Sequence, residues 1–209
     1  AIELSRQVDT LQGLIAKLEQ DLKSAARAAA TASRQGVPGA PNGKPNPGAL
    51  KDPGRLRPAI AFASAKGMFA LPVNGARIRD FGGSDGAGGI EKGVSLAARP
   101  GAQVTTPCDG WVVYAGPFRS YGQLLILNAG DGYHVVLAGM GRISVSPGQS
   151  VLAGEPVGLM GETRVASAVA FGEASAGPEL YVEFRKDGKP VDPAPWWTER
   201  TVGRSGNDT

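Results

Sequence analysis

Residues 177–186, with the sequence GPELYVEFRK, gather the side chains of this chain best suited to chemistry. Leu180, Val182 and Phe184 alternate with Tyr181, Glu183 and Arg185. That period of two predicts a strand with one packed apolar face, the other carrying a phenol, a carboxylate and a guanidinium outward. Such a face either assists a reaction or grips a partner. The sets needed for metal or nucleophilic catalysis are thinly supplied, because the 209 residues include one histidine, His134, and one cysteine, Cys108. An internal disulfide and a Cys/His zinc cluster are both excluded. Cys108 lies in TPCDG ahead of a turn signal, the setting of a small half-buried residue rather than a reactive thiol.

The elements that must position these residues are read from composition and period. Leu4, Val8, Leu11, Ile15, Leu18 and Leu22 follow alternating steps of four and three, the seam of a coiled coil, over residues 1–30. Three heptads are marginal alone, so the helix is expected to continue one that begins upstream, as a rod or an oligomerisation element. Residues 31–66 turn to Gly, Pro, Asn and Ser and read as a linker. The formal charge of +3 is unevenly spread: residues 1–30 balance, residues 31–66 carry +5 and residues 67–209 carry −2. A basic tether of this kind can contact nucleic acid, an anionic envelope surface or the acidic domain beside it, or simply be solvated. Its later part, with Leu56, Ile60, Phe62 and Phe69, is apolar enough to dock.

From Leu71 onward the chain reads as β. The runs VNGARIRDF, KGVSLAA, DGWVVYAG, QLLILN, GYHVVLAG, QSVLAG, PVGLMG and ELYVEFR are separated by Gly, Pro and Asp-Gly punctuation, which predicts an all-β sandwich or barrel. LLILN is apolar on both faces and predicts a central strand, with NAGDG as the hairpin loop after it. Residues 162–178 predict a long loop, and residues 201–209 a flexible tail. The chain begins at Ala1 rather than Met and reads as part of a longer precursor; neither a signal peptide nor a membrane span is recognisable in it.

Taken in order, LPVNGARIRDFG, KGVSLAARPGAQVTTPCDGWVVYAGPFRSYGQLLILNAGDGYHVVLAG, VSPGQSVLAGEPVGLMG and ELYVEFRKDGKPVDPAPWW resemble the LytM, or lysostaphin-like, zinc metallopeptidase domain. With the coiled coil in front, the chain resembles the EnvC-type murein hydrolase activators. The resemblance implies a mainly β domain over residues 67–200, a LytM-like sandwich or barrel. In active members of that family, zinc is held by an H-x-x-x-D motif and the second histidine of H-x-H, and two further histidines assist. These positions fall here on Glu91, Ser95, Tyr181, Glu179 and Gly139, so all five residue types are changed. One carboxylate and two neutral hydroxyls are not a zinc set. Glu91 and Glu179 could in principle hold a hard cation such as calcium, but they supply only part of the six or more oxygens that such a site wants. His134 lies five residues before Gly139, an odd offset that in a regular strand points it to the other face.

The resemblance therefore implies no catalytic residue, no metal and no cofactor. In its place it implies a groove that binds the regulatory helix of a periplasmic N-acetylmuramoyl-L-alanine amidase, lined at Lys92, Ser95, Tyr121, Leu124, Tyr181 and Arg185. Ser95 departs from the family's apolar residue there. An FtsEX-type transporter engaging the upstream coiled coil, a periplasmic location in a Gram-negative envelope and contact with peptidoglycan are implied alongside; nucleic acid is not. The basic linker is expected to lie over the groove in a self-inhibitory state. Two alternatives stay open: a peptidoglycan-binding module, and a zinc endopeptidase.

Overall fold

The computed structural model describes residues 60–84, 89–118, 121–162 and 177–198, together with Gly13, Ala16, Lys17, Gln20, Asp21 and Ser24, which are helical. The seam of the expected coiled coil, residues 31–59 of the linker, most of the loop before Glu179 and the C-terminal tail lie outside the described residues. Among the described residues, no helix is long and apolar enough to cross a membrane.

Ten strands follow in chain order: β1 (Gly75–Arg79), β2 (Val94–Ala98), β3 (Gln103–Thr105), β4 (Gly110–Pro117), β5 (Gln123–Gly130), β6 (Tyr133–Ile143), β7 (Ser150–Val151), β8 (Pro156–Met160), β9 (Glu179–Lys186) and β10 (Lys189–Val191). Every pairing is antiparallel, and the main path across the sheet runs β1-β2-β9-β6-β5-β4-β7. The eight runs expected as strands each contain one. The two short strands β3 and β10 are additional; their sequences, QVT and KPV, are too short and too polar to show a period.

β5 is central as expected, with β6 on one side and β4 on the other. The β5–β6 hairpin closes through Asp131 and Gly132, both at positive φ (49° and 76°), the backbone that a two-residue Asp-Gly turn requires. β6 serves two sets of partners: its first part pairs with β5 and β9, its end with β8. The change falls at Gly139, which the ladder skips between Ala138 and Met140, a bulge at φ 99°.

Val94, Leu96, Leu125, Leu127, Val135, Leu137, Leu180, Val182 and Phe184 fill one face of the sheet and meet Val104, Val112, Val151, Val157 and Met160 in a single core. Cys108 is buried in this core, its neighbour Thr106 donating a hydroxyl hydrogen bond to its carbonyl (2.7 Å). The folded unit starts earlier than residue 67. Residues Phe62–Ser64 form a 3-10 turn, and Phe62 packs among Phe69, Tyr133, Phe184 and Trp196, while the Trp196 indole donates to the Phe62 carbonyl (2.8 Å). This part of the expected linker is therefore domain, and it sits on the core side of β9, away from Tyr181. Whatever the preceding residues do, the apolar stretch from Phe62 to Phe69 does not cover the Tyr181 face.

Phe62→Ala removes the centre of this aromatic cluster. The expected loss is about 3–5 kcal/mol of stability, the usual range for a buried Phe-to-Ala change, measured by urea unfolding.

Candidate functional site

Register lays the site out in rows. Arg79 of β1, Ser95 of β2, Tyr181 of β9, Ala138 of β6, Leu124 of β5 and Gly116 of β4 form one line across the sheet. Tyr114, Ile126, Val136 and Glu183 form the next, and Trp111, Asn128, His134 and Arg185 a third. Alternation along each strand sends these side chains to the face opposite the core.

That face is not the open surface expected from period alone. Tyr114, Phe118, Leu124, Ile126, Val136 and Ala138 make a second apolar cluster on it, with Val113, Tyr121 and Tyr181 packed against the cluster. Glu183 (0% exposed) and Arg185 (2%) are buried with it. The reading of Arg185 as an outward grip is thereby corrected. Its Nη1 donates to Glu183 Oε1 at 2.5 Å, its Nη2 donates to the Gly188 carbonyl, and Tyr181 Oη donates to Glu183 Oε2 at 2.8 Å. Both charges survive burial because each satisfies the other, and the carboxylate spends both oxygens within its own strand.

A second network lies at the other end of the first row. Arg79 Nη2 meets Glu179 Oε2 at 2.5 Å, and its Nε lies 3.4 Å from Ser95 Oγ and 3.8 Å from Glu91 Oε1. Ser95 Oγ donates to Glu91 Oε1 at 3.2 Å. Glu91 is fixed by backbone bonds of its own, its N–H donating to the Gly83 carbonyl and its carbonyl accepting from the Gly82 N–H. Four of the five positions aligned with catalytic residues by resemblance, Glu91, Ser95, Glu179 and Tyr181, are thus brought together. Gly139, the fifth, lies across β9, and a Cβ built on it falls 2.2 Å from the Glu179 carbonyl oxygen. Gly93 is equally close-set, its Cβ position 2.2 Å from the Val182 carbonyl oxygen and 3.0 Å from the Tyr181 ring.

Of the six expected groove residues, Lys92 is exposed, and Tyr121 and Tyr181 are partly so. Ser95 (1%) and Leu124 (0%) are buried with Arg185, so these three shape the face from beneath. The exposed Ile90 (68%) stands two residues before Lys92. The strand bearing His134 is not regular, because of the Gly139 bulge, and His134 shares the face of Tyr181 rather than pointing away from it. It pairs with Arg185, whereas Tyr181 pairs with Ala138, four residues or about 13 Å further along β6. Sequence reasoning gave no role to Arg79, whose signal was an arginine at a strand end, and placed Glu183 on the outward face without seeing that it is buried there with both oxygens engaged.

These donors do not fit zinc. Burial and the neighbouring Glu183 and Glu91 raise the Tyr181 phenol far above its ordinary value, so it stays protonated. The Tyr121 phenol is raised too, through burial first and then Glu183 and Glu91. Ser95 is neutral, and Glu91 already accepts from Ser95 and faces Arg79. Among the described residues, no three His, Cys, Asp or Glu side chains are grouped to hold a metal ion.

Residues 89–193 match Peptidase family M23. Among curated proteins, the Lipoprotein NlpD/LppB homolog of Pseudomonas aeruginosa is 31% identical over 68% of this chain and 43% of its own length. Murein hydrolase activator NlpD of Escherichia coli is 33% identical over 62% of this chain and 31% of its length. Cell division protein DipM of Caulobacter vibrioides is 34% identical over 65% and 22%. The chain thus spans less than half the length of these relatives. Among solved structures, a peptidase M23 protein from Pseudomonas aeruginosa superposes with a TM-score of 0.51 at 23% identity, covering 68% of this chain and 54% of that one. Lysostaphin superposes at 0.50 with 22% identity, covering 62% and 54%. The fold is LytM-like and mainly antiparallel β.

Removing either partner of the buried pair leaves an uncompensated charge. Glu183→Ala and Arg185→Ala are each expected to cost about 3–5 kcal/mol by urea unfolding. The double variant should lose clearly less than their sum, the mark of direct coupling. A second expectation concerns alkaline pH. Burial, then Asp109, pushes the Cys108 thiol from 9.0 up to about 12, so the folded state holds its proton more tightly than the unfolded chain. Its contribution is complete below pH 9 and disappears as the pH rises toward 12. Unfolding titrations across that window should show declining stability, with a shallower decline in Cys108→Ala.

Proposed function

The chain belongs to peptidase family M23, and within that family we propose that it is a non-catalytic, EnvC-type activator of a peptidoglycan hydrolase in cell division. Its direct partner is a periplasmic N-acetylmuramoyl-L-alanine amidase, whose regulatory helix occupies the face around Tyr181. The observation carrying this reading is the state of the former catalytic positions: Glu91, Ser95 and Glu179 are engaged with Arg79, and Tyr181 with Glu183. Groups so engaged have neither an open coordination position nor a free base with which to activate water. The names of two relatives, murein hydrolase activator and cell division protein, support the same reading.

A helix laid on this face would meet two partly exposed aromatic rings, Tyr121 and Tyr181, and in this scheme also Lys92 and Ile90, which are exposed on the segment leading into β2. Aromatic rings supply contact area at small entropic cost, and the ammonium selects a helix with an acidic residue in register. Binding activates only if this face prefers the amidase conformation in which the helix has left the active site. The upstream coiled coil is the arm through which an FtsEX-type transporter acts, and peptidoglycan contact is secondary. Residues 31–59 are the part of the linker left to inhibit in this scheme, because residues 60–69 are engaged elsewhere.

Purified chain mixed with its cognate amidase should accelerate release of dye-labelled sacculus fragments, while the chain alone releases none. Tyr181→Ala and Lys92→Glu should each weaken binding of the isolated regulatory helix about tenfold, as for residues at the centre of an interface. Absence of stimulation by both the intact chain and one lacking residues 31–59 would exclude the activator reading. Chelator-sensitive hydrolysis by the chain alone would establish the endopeptidase instead.

A further inference from the structure

We propose that Arg79 is a built-in cation that takes over the electrostatic and cross-linking task of a bound metal ion in this fold. The inference does not depend on which partner the face accepts. Its starting point is the irregular β1–β2 ladder. Arg77 stands opposite Leu96, and the next pair is Arg79 with Ser95, so β1 advances two residues while β2 advances one. A regular strand would put Arg79 on the side of Arg77, opposite a core-facing position. The bulge turns its side chain onto the Tyr181 face instead, the use to which bulges beside functional sites are put.

There the guanidinium reaches three oxygen-bearing side chains from three parts of the chain: Glu91 from the turn before β2, Ser95 from β2 and Glu179 from β9. The Glu91 and Glu179 side chains are little exposed, 12% and 3%, and Arg79 itself is 18% exposed. Two carboxylates withdrawn from water this far and facing one locus require a positive charge between them. A planar fork with several N–H donors satisfies them and ties β1, β2 and β9 together, as a multidentate cation would. The cation is covalently part of the chain, so the shape of the face is independent of metal supply.

The full chain and its variants test this with Tb3+ and Ca2+ as probes, Tb3+ emission being sensitised through nearby Tyr121 and Tyr181. The wild type should give no saturable emission in the micromolar range. Arg79→Ala should melt at a lower temperature, bind Tb3+ at least tenfold more tightly than wild type, and recover part of its melting temperature with Ca2+. The gain should vanish in Arg79→Ala/Glu179→Gln. Arg79→Lys, which retains one positive charge, should stay near the wild-type affinity. Should Arg79→Ala not fold, Arg79→Gln carries the same readout with the side-chain stem kept. Two results would each overturn the proposal: no gain in affinity on neutralising Arg79, or a gain that survives the loss of the Glu179 charge.

Discussion

Strand β9 is packed on both faces, with only Tyr181 and Lys186 partly exposed, and the rest of the domain is arranged to make that tolerable. On one side Leu180, Val182 and Phe184 enter the main core. On the other, Tyr181, Glu183 and Arg185 put a phenol, a carboxylate and a guanidinium against Leu124, Ile126, Val136 and Ala138. A buried carboxylate is tolerable only with its acceptor sites filled, and Tyr181 and Arg185 fill them from two residues either side. Period two thus does more than divide inside from outside. It spaces three polar groups so that each reaches the next along the strand.

The same face is held at its far end by charge and at its centre by close backbone approach. Arg79 binds the outer strands across the first row, while Gly93 and Gly139 leave room for neighbouring carbonyls where any Cβ would collide. A histidine at residue 139 would need the β6 bulge to be rebuilt, because the Glu179 carbonyl oxygen occupies its first carbon's place. The residue that can stand at 139 is therefore limited by the backbone as well as by the neighbouring side chains.

Much of the fold was legible because its signals are local. Alternating apolar residues and Asp-Gly punctuation gave eight of the ten strands, and the doubly apolar LLILN marked the centre of the sheet. The strands missed were three-residue segments held by their partners rather than by their own pattern. At the site, four of the five positions aligned by resemblance come together around Arg79 and Glu183, and Lys92, Tyr121 and Tyr181 are the expected groove residues that reach the surface. Burial of Glu183 and Arg185 was not legible, since alternation cannot reveal that a second apolar cluster covers the outer face. Arg79 was invisible for a different reason: its bulge is defined only by pairing with β2, and its partner Glu179 is a hundred residues away.

At the opposite side of the domain, the chain's way in and way out run side by side. Phe69 bridges Trp197 in parallel, its N–H donating to the Trp196 carbonyl and its carbonyl accepting from the Thr198 N–H. Entry and exit are thus about 5 Å apart, one strand spacing. A unit closed in this way is portable: it can be set into a longer polypeptide without forcing the flanking segments apart.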